Sequence, residues 1–181
     1  MKGAVPHRMM GEAGDVIAAA RSGSLDALGE LYRRHGDAVH ALAYRLLASR
    51  DDAADVLQDV FVGLPRALRS YREQGRFESW LKQVTVRTCL MKQRSKRRKR
   101  ELPLEGAAVE ARTATTTRPL ERVAVQRALA ALPDALRAVF ALREIEGYTH
   151  AEIGALLGIS EANSATRLAR AWSQLRKELA R

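Results

Sequence analysis

The segment at residues 147–170, GYTHAEIGALLGISEANSATRLAR, constrains the fold more than any other part of the chain. Its pattern predicts two short helices joined by a tight turn. Thr149 and Glu152 have the spacing of a capping box, in which each side chain bonds the backbone amide of the other residue. Gly158 supplies the backbone freedom that ends the first helix. Ser160 is a suitable cap for the second helix.

The second helix of this segment has two faces. Its apolar residues recur at steps of three and four and are predicted to be buried: Leu168, Ala171, Trp172, Leu175 and Leu179. In a helix–turn–helix, early residues of the second helix meet base edges and cations further along neutralise phosphates. The predicted DNA-contacting residues are the two caps and the polar face: Thr149, Ser160, Asn163, Ser164, Thr166, Arg167, Arg170 and Lys177. An ordinary helical hairpin with a solvated polar face is the alternative.

Charge supports a nucleic-acid partner. The chain of 181 residues carries 31 Lys and Arg against 21 Asp and Glu, a net charge of +10, which favours nucleic acid before an acidic membrane. The single cysteine, Cys89, cannot form an internal disulfide and fits a reducing compartment. No apolar run reaches the length of a membrane span, and the N-terminus lacks the apolar stretch of a secretory signal. We therefore expect a cytoplasmic protein without membrane insertion.

Apolar residues at helical spacing predict further helices before this segment, and hence an all-α fold. Helices are expected at residues 15–21, at 24–48 and from about residue 50. Pro65 removes a hydrogen bond from the third of these, which predicts a kink or a brief break near residues 63–65. A fourth helix is expected to pack Phe77, Trp80, Leu81, Val84 and Met91, and it leads into the basic run KQRSKRRKR at residues 92–100.

The character of the chain changes at residue 101. Prolines, a Thr/Ala run and weak periodicity predict a flexible linker at residues 101–120. The chain is therefore expected to form two small helical domains, at residues 11–100 and 121–181, of which the second is the helix–turn–helix domain.

Two regions of the sequence resemble a bacterial sigma factor of the extracytoplasmic-function (ECF) type, in the sigma-70 family. The first region, in the first predicted domain, contains two motifs, and the second region, in the second domain, contains one. DDAADVLQDVF at residues 51–61 is similar to the family's D-A-E-D-[LV]-V-Q-[ED]-V-F helix, and FESWLKQV at residues 77–84 is similar to its F-x-x-W-L-x-x-I block. LPDALRAVFALREIEGYTHAEIGALLGIS at residues 132–160 is similar to L-P-x-x-x-R-x-V-F-x-L-R-x-x-E-G-x-[ST]-x-x-E-I-A-x-x-L-G-[IV]-S. The resemblance spans nearly the whole chain after the first dozen residues.

The resemblance implies a promoter-specificity (sigma) subunit that binds core RNA polymerase, recognises the −10 and −35 promoter elements and promotes transcription initiation. Its implied partners are the β′ clamp and β flap of core polymerase, promoter DNA and an anti-sigma factor. Implied polymerase-binding residues are Asp52, Asp55, Gln58, Asp59 and Phe61. Implied −10 residues are Tyr71, Arg72, Arg76, Lys82, Arg87, Arg94, Lys96, Arg97 and Arg98, and the helix–turn–helix residues above would bind the −35 element.

The chain also departs from the family pattern. Ala54 stands where glutamate is usual, and Arg87 stands where asparagine is usual. Ser164 and Ala165 replace a common Val-Lys pair, and Trp172 replaces arginine. The promoter sequence therefore does not transfer from relatives.

Two other classes of function stay open on the sequence alone. A stand-alone helix–turn–helix regulator would use the N-terminal region as a ligand or dimer module. An enzyme, such as a nuclease using the carboxylates of residues 51–59, has less support. Asp55 and Asp59 lie one turn apart, but no further ligand is spaced to complete a metal site. No nucleophile–base pair or phosphate loop is present either, so we expect no enzymatic activity, no cofactor and no metal.

Overall fold

The computed structural model describes residues 7–72, 76–101 and 120–179, and the side-chain environments of 14–72, 76–98 and 126–179. All regular secondary structure in these ranges is helical, which confirms the all-α prediction. The elements are α1 (His7–Arg21), α2 (Leu25–Leu47), α3 (Arg50–Leu68), α4 (Phe77–Glu101), α5 (Leu120–Ala131), α6 (Asp134–Phe140), a π-helical turn (Ala141–Ile145), α7 (His150–Leu157) and α8 (Glu161–Leu179).

The chain divides into two compact units. The first comprises residues 1–44 and 49–89, and the second comprises 45–48 and 90–181. Within the second unit, the Gln93 side-chain amide donates to the Leu46 carbonyl oxygen at 3.2 Å, and buried Arg137 donates to the same oxygen at 3.1 Å. The division thus falls inside α4, whereas the sequence suggested residue 100. The expected linker lies outside the described residues from 102 to 119, so the functional domain limits stay a prediction.

The core of the first unit is built from one apolar face of each of its helices. α1 packs along α3. Burying a large aliphatic side chain stabilises the folded state by roughly 1.5–3 kcal/mol. The buried residues are Ile17, Ala20, Ala27, Leu31, Val39, Leu42, Ala43, Ala53, Val56, Val60, Leu64, Leu68, Tyr71, Leu81, Val86 and Cys89.

The break predicted near Pro65 is absent, because α3 runs through this residue to Leu68. Pro65 lies near the end of the helix, so a single backbone hydrogen bond is lost. Leu64 and Leu68 flank it and are fully buried, at 0% exposure. Their packing keeps the last turn helical despite the proline.

The packed face of α4 also differs from the prediction. Met91 is 68% exposed, and fully buried Thr85 takes a core position instead. The Thr85 hydroxyl donates to the Leu81 carbonyl oxygen at 2.8 Å, so this polar side chain is buried with its hydrogen bond made.

The second unit has a core between α5, α6 and α8. Its cluster comprises Ala128, Leu132, Leu136, Phe140, Ala171 and Leu175, with Leu129 and Leu168 packed against it. Trp172 and Leu179, predicted to be buried, are 41% and 53% exposed. They lie at the edge of the apolar stripe, where Trp172 packs its ring edge-on against Phe140 at a centroid distance of 5.1 Å.

A π-helical turn that the sequence did not predict joins α6 to the helix–turn–helix segment. The Glu146 amide donates to the Ala141 carbonyl oxygen, five residues earlier, at 3.0 Å. The Arg143 guanidinium then donates to the Tyr148 carbonyl oxygen at 3.0 Å. These bonds end the helix and lead the chain into the cap of α7.

Candidate nucleic-acid interface

The predicted capping box is present at the start of α7. The Glu152 amide donates to Thr149 Oγ1 at 3.2 Å, and the Thr149 amide donates to Glu152 Oε2 at 2.8 Å. This hydrogen bond from the Thr149 backbone, helped by the Thr149 hydroxyl, holds the pKa of Glu152 below its ordinary value. Gly158 closes α7 in the left-handed region at φ 68°, as predicted. Both signals that define the motif are therefore confirmed.

The turn between α7 and α8 brings their backbones close together. A Cβ placed on Gly154 would lie 2.7 Å from the Ile159 carbonyl oxygen. Ser160 then caps α8, because its Oγ accepts from the Asn163 amide at 3.1 Å. The hydroxyls of Thr149 and Ser160 are exposed, but each already serves its helix cap.

The exposed face of α8 forms a polar stripe that we call the recognition stripe, comprising Asn163, Thr166, Arg170 and Lys177. Their spacing places them along one side of the helix. The Thr166 hydroxyl donates to the Ala162 carbonyl oxygen at 2.9 Å and keeps its acceptor capacity. Arg167, also predicted to bind DNA, is partly buried beside this stripe.

Ser164 is the one predicted contact in α8 that the structure removes from this surface. Its side chain is 0% exposed, and its Oγ lies 2.9 Å from His150 Nδ1. Ser164 therefore faces the neighbouring helix and not the exposed stripe, and its contact with DNA stays a prediction.

Basic side chains of the first predicted domain line the outside of α4 and the segment before it. The exposed predicted −10 residues are Arg72, Arg76, Arg87, Arg94, Lys96, Arg97 and Arg98, whereas Lys82 is partly buried. The side chains of Lys99 and Arg100 and residues 73–75 of the preceding loop lie outside the described residues. The described cations therefore extend along most of the helix.

Tyr71 belongs to an aromatic cluster rather than to this exposed surface. It is 7% exposed, with its ring centroid 5.0 Å from that of Trp80 and 5.7 Å from that of Phe77. Arg21 of α1 donates to the Tyr71 carbonyl oxygen at 3.2 Å. Burial lowers the pKa of His35, whose ring lies against Phe77. Tyr71 therefore lies in the packed cluster, and its implied contact with the −10 element stays a prediction, while Trp80 joins the same cluster as expected.

One face of α3 is exposed and acidic. Asp55, Gln58 and Asp59 are exposed there, and Val62, which sequence reasoning missed, is 75% exposed. We call these four residues the acidic face. Phe61 is partly buried at its edge, where its ring meets Tyr32 edge-on at 5.0 Å.

Asp52 does not belong to this face. Its side chain is 8% exposed, and its amide donates to the Ser49 cap at 3.3 Å. The first turn of α3 directs this residue toward the protein, and its implied contact with the polymerase stays a prediction.

Two other kinds of site are absent from the part of the chain that the structure describes. There, no group of three or more His, Cys, Asp and Glu side chains could hold a metal ion. None of the described helices is long and apolar enough to cross a membrane.

Two models of known protein families match most of the chain. The sequence model of Sigma-70 region 2 matches residues 31–99, and that of Sigma-70, region 4 matches residues 122–175. The first range contains the acidic face and most of the basic helix, and the second contains the helix–turn–helix. A stand-alone helix–turn–helix regulator does not explain the region 2 match.

Individual relatives extend this match along most of the chain. The ECF RNA polymerase sigma factor SigM of Mycobacterium tuberculosis is 34% identical over 166 residues, covering 91% of this chain and 83% of that protein. SigW of Bacillus subtilis, also an ECF RNA polymerase sigma factor, is 27% identical and covers 90% of this chain and 94% of that protein.

Solved structures agree with the fold. CnrH, in complex with the cytosolic domain of CnrY, is 28% identical with a TM-score of 0.57, covering 91% of this chain and 95% of that one. RpoE from Bartonella quintana, in complex with the anti-sigma factor NepR, is 19% identical with a TM-score of 0.63 and supports the fold alone. With two sigma regions in order and SigM 34% identical over 91% of this chain, the chain belongs to the ECF sigma factors of the sigma-70 family and is a promoter-specificity subunit of RNA polymerase that directs transcription initiation.

Proposed function

We propose that this sigma factor divides its work among three surfaces, of which the acidic face of α3 binds the clamp of the polymerase β′ subunit. The observation that carries this assignment is the contrast between the two sides of one helix. Val56, Val60 and Leu64 are buried, whereas Asp55, Gln58 and Asp59 are exposed on the other side. An exposed valine beside two carboxylates suits a partner that offers both cations and apolar contact.

The basic side of α4 is proposed to hold the −10 region of the promoter. Arg87, Arg94 and Arg98 are exposed along this side, and Lys96 is exposed on the opposite side of the helix. Cations spaced along a helix neutralise phosphates without reading the sequence, and each phosphate contact steepens the log–log salt dependence of binding by about 0.9. We assign base recognition to Arg72 and Arg76, which precede the helix. The packed cluster of Tyr71, Phe77 and Trp80 holds the neighbouring backbone in place.

The recognition stripe of α8 is proposed to read the −35 element in the major groove. Asn163 lies in the first turn, where a recognition helix meets base edges, and Asn pairs well with adenine. Arg170 and Lys177 follow about two and four turns later, where the helix leaves the bases and phosphates are in reach.

The assignment of three binding surfaces also suggests a partner, a location and a role for the protein. An anti-sigma factor is expected to cover one or more of the three surfaces, in keeping with the complexes in which CnrH and RpoE were solved. The protein acts in the cytoplasm, where polymerase and chromosome meet. It carries no catalytic step of its own and contributes contacts to the polymerase.

Tethered DNA cleavage tests the assignment of the two DNA surfaces. A Cys89→Ser background removes the single native thiol, and a cysteine is then introduced at exposed Arg98 in α4 or exposed Ala165 in α8. Each thiol is coupled to an iron chelate and the variant is assembled with core polymerase on promoter DNA. We expect cleavage near the −10 element from Arg98→Cys and near the −35 element from Ala165→Cys. Cleavage of the same element from both positions, or in the reverse order, would contradict the assignment.

A further inference from the structure

A buried polar pair joins the two helices of the helix–turn–helix. Ser164 lies in the second turn of α8 with its side chain 0% exposed, and His150 is the first residue of α7. The His150 Nδ1 atom lies 2.9 Å from Ser164 Oγ, so the two groups share a hydrogen bond in which either can donate. The pair connects positions 14 residues apart across the turn.

The turn between the two helices is tightly packed near this pair. At Gly154 the α7 backbone approaches the turn so closely that no side chain fits between them, since a Cβ would lie 2.7 Å from the Ile159 carbonyl oxygen. Ser164 is itself too small to fill an apolar contact. A buried hydroxyl that loses its partner destabilises the folded state, so this bond favours one rotation of α8 about its own axis.

That rotation decides where the recognition stripe points. Asn163 precedes Ser164 directly, and Arg167 follows it by one turn. Adjacent residues on a helix point about 100° apart, so a side chain fixed toward α7 also fixes the direction of its exposed neighbours. A small change at Ser164 is therefore carried to the side chains that face DNA.

We propose that His150 is a positioning residue for −35 recognition, which acts through Ser164 and sets the angle at which α8 presents its stripe to the groove. This inference rests on the proposed role of α8 as the −35 reader. It assigns a function to two residues that have no direct contact with bases, and it makes the pair a determinant of promoter choice.

Substitutions at position 150 can separate loss of the hydrogen bond to Ser164 from loss of the histidine ring. Asparagine at position 150 places its amide near the position of Nδ1 and can keep the bond to Ser164, whereas glutamine places its amide near Nε2 and cannot. His150→Ala removes the partner altogether. The double variant His150→Leu with Ser164→Val replaces the polar pair by an apolar one. His40→Ala, at a partly buried histidine of α2, is the matched control.

The measurement is the ratio of run-off transcription from a native promoter to that from promoters with single-base changes in the −35 element. Each variant is assembled with core polymerase, and its melting temperature is recorded by circular dichroism. Wild-type protein and His40→Ala are expected to discriminate equally, and His150→Asn to within about twofold of them. His150→Ala and His150→Gln should lose about tenfold in discrimination, within the range that one specific base contact confers. The double apolar variant should regain the melting temperature while its −35 preference stays altered.

Two results would overturn the inference. One is unchanged discrimination in a folded His150→Ala variant. The other is discrimination that follows the melting temperature through the whole series, because a purely structural contact would behave in that way. If instead wild-type protein does not distinguish the −35 variants, the proposed role of α8 fails before the pair is tested.

Discussion

Charge reversal at Asp55 separates polymerase binding from folding more cleanly than any other single change. Asp55 is the sixth residue of α3, beyond the first turn in which a carboxylate gains from the helix dipole. It is exposed, and the core contacts of α3 come from Val56, Val60 and Leu64 on the opposite side. Surface changes of this kind usually alter the free energy of unfolding by no more than about 0.5 kcal/mol.

The effect on polymerase binding should be much larger. Two unit charges about 5 Å apart attract each other by roughly 3 kcal/mol at an effective dielectric constant of about 20. Loss of that attraction alone weakens binding by about 100-fold, since about 1.4 kcal/mol corresponds to tenfold in Kd. Asp55→Arg also turns attraction into repulsion, so a loss greater than 100-fold is expected if the facing group is a cation.

The assay is titration of core RNA polymerase with fluorescently labelled sigma factor, compared at low and high salt. Asp15→Arg provides the matched control, because Asp15 is an exposed carboxylate of α1 in the same unit and the change in net charge is identical. We expect the control to bind like the wild type. A folded Asp55→Arg protein that binds core polymerase with unchanged affinity would refute the reasoning.

Four further outcomes are expected. Arg170→Ala should reduce the magnitude of the log–log salt slope of promoter binding by about 0.9, as measured by titration at several salt concentrations; an unchanged slope would contradict a phosphate contact. Thr149→Ala should destabilise the second unit by about 1 kcal/mol through loss of its helix cap, read from Trp172 fluorescence in a Trp80→Phe background. Because the pKa of Glu152 is lowered in the folded state, its contribution is present above its ordinary value of 4.5 and is lost as pH falls through the folded pKa. Glu152→Gln should therefore remove part of the acid sensitivity, which a pH series of unfolding curves would detect. Gly29→Ala should stabilise the first unit by about 0.4–1 kcal/mol, because a Cβ there meets no atom within 4 Å; a lower melting temperature would oppose this.

The features of the fold that depend on residues close together in the sequence were predicted most reliably. The capping box of Thr149 and Glu152 and the left-handed Gly158 involve residues within one or two turns of each other, so their geometry follows from short-range chemistry. Helix periodicity likewise gave the order of the helices. The division of function, by contrast, came from the family resemblance, since an acidic helix face alone is compatible with several roles.

The burial of individual side chains was harder to predict, because it depends on distant contacts. Ser164 was assigned to the DNA face by its polarity, and its burial depends on a histidine 14 residues away. Tyr71 was assigned to the −10 contacts by the family resemblance, and its ring packs against Phe77 and Trp80. Trp172 and Met91 were predicted to be buried from their helical spacing, although the buried stripe is narrower than the apolar one. The spacing of residues along the sequence does not predict which side chains from distant parts of the chain will pack together.

The central claim is that this chain confers promoter specificity on core RNA polymerase through two separate DNA contacts. The most direct measurement is run-off transcription by core polymerase with and without the protein, on a promoter whose −10 and −35 elements are scrambled singly and together. We predict a discrete transcript that requires the protein and falls sharply when either element is scrambled. Absence of core binding together with no protein-dependent transcript, or a transcript indifferent to both elements, would contradict the claim.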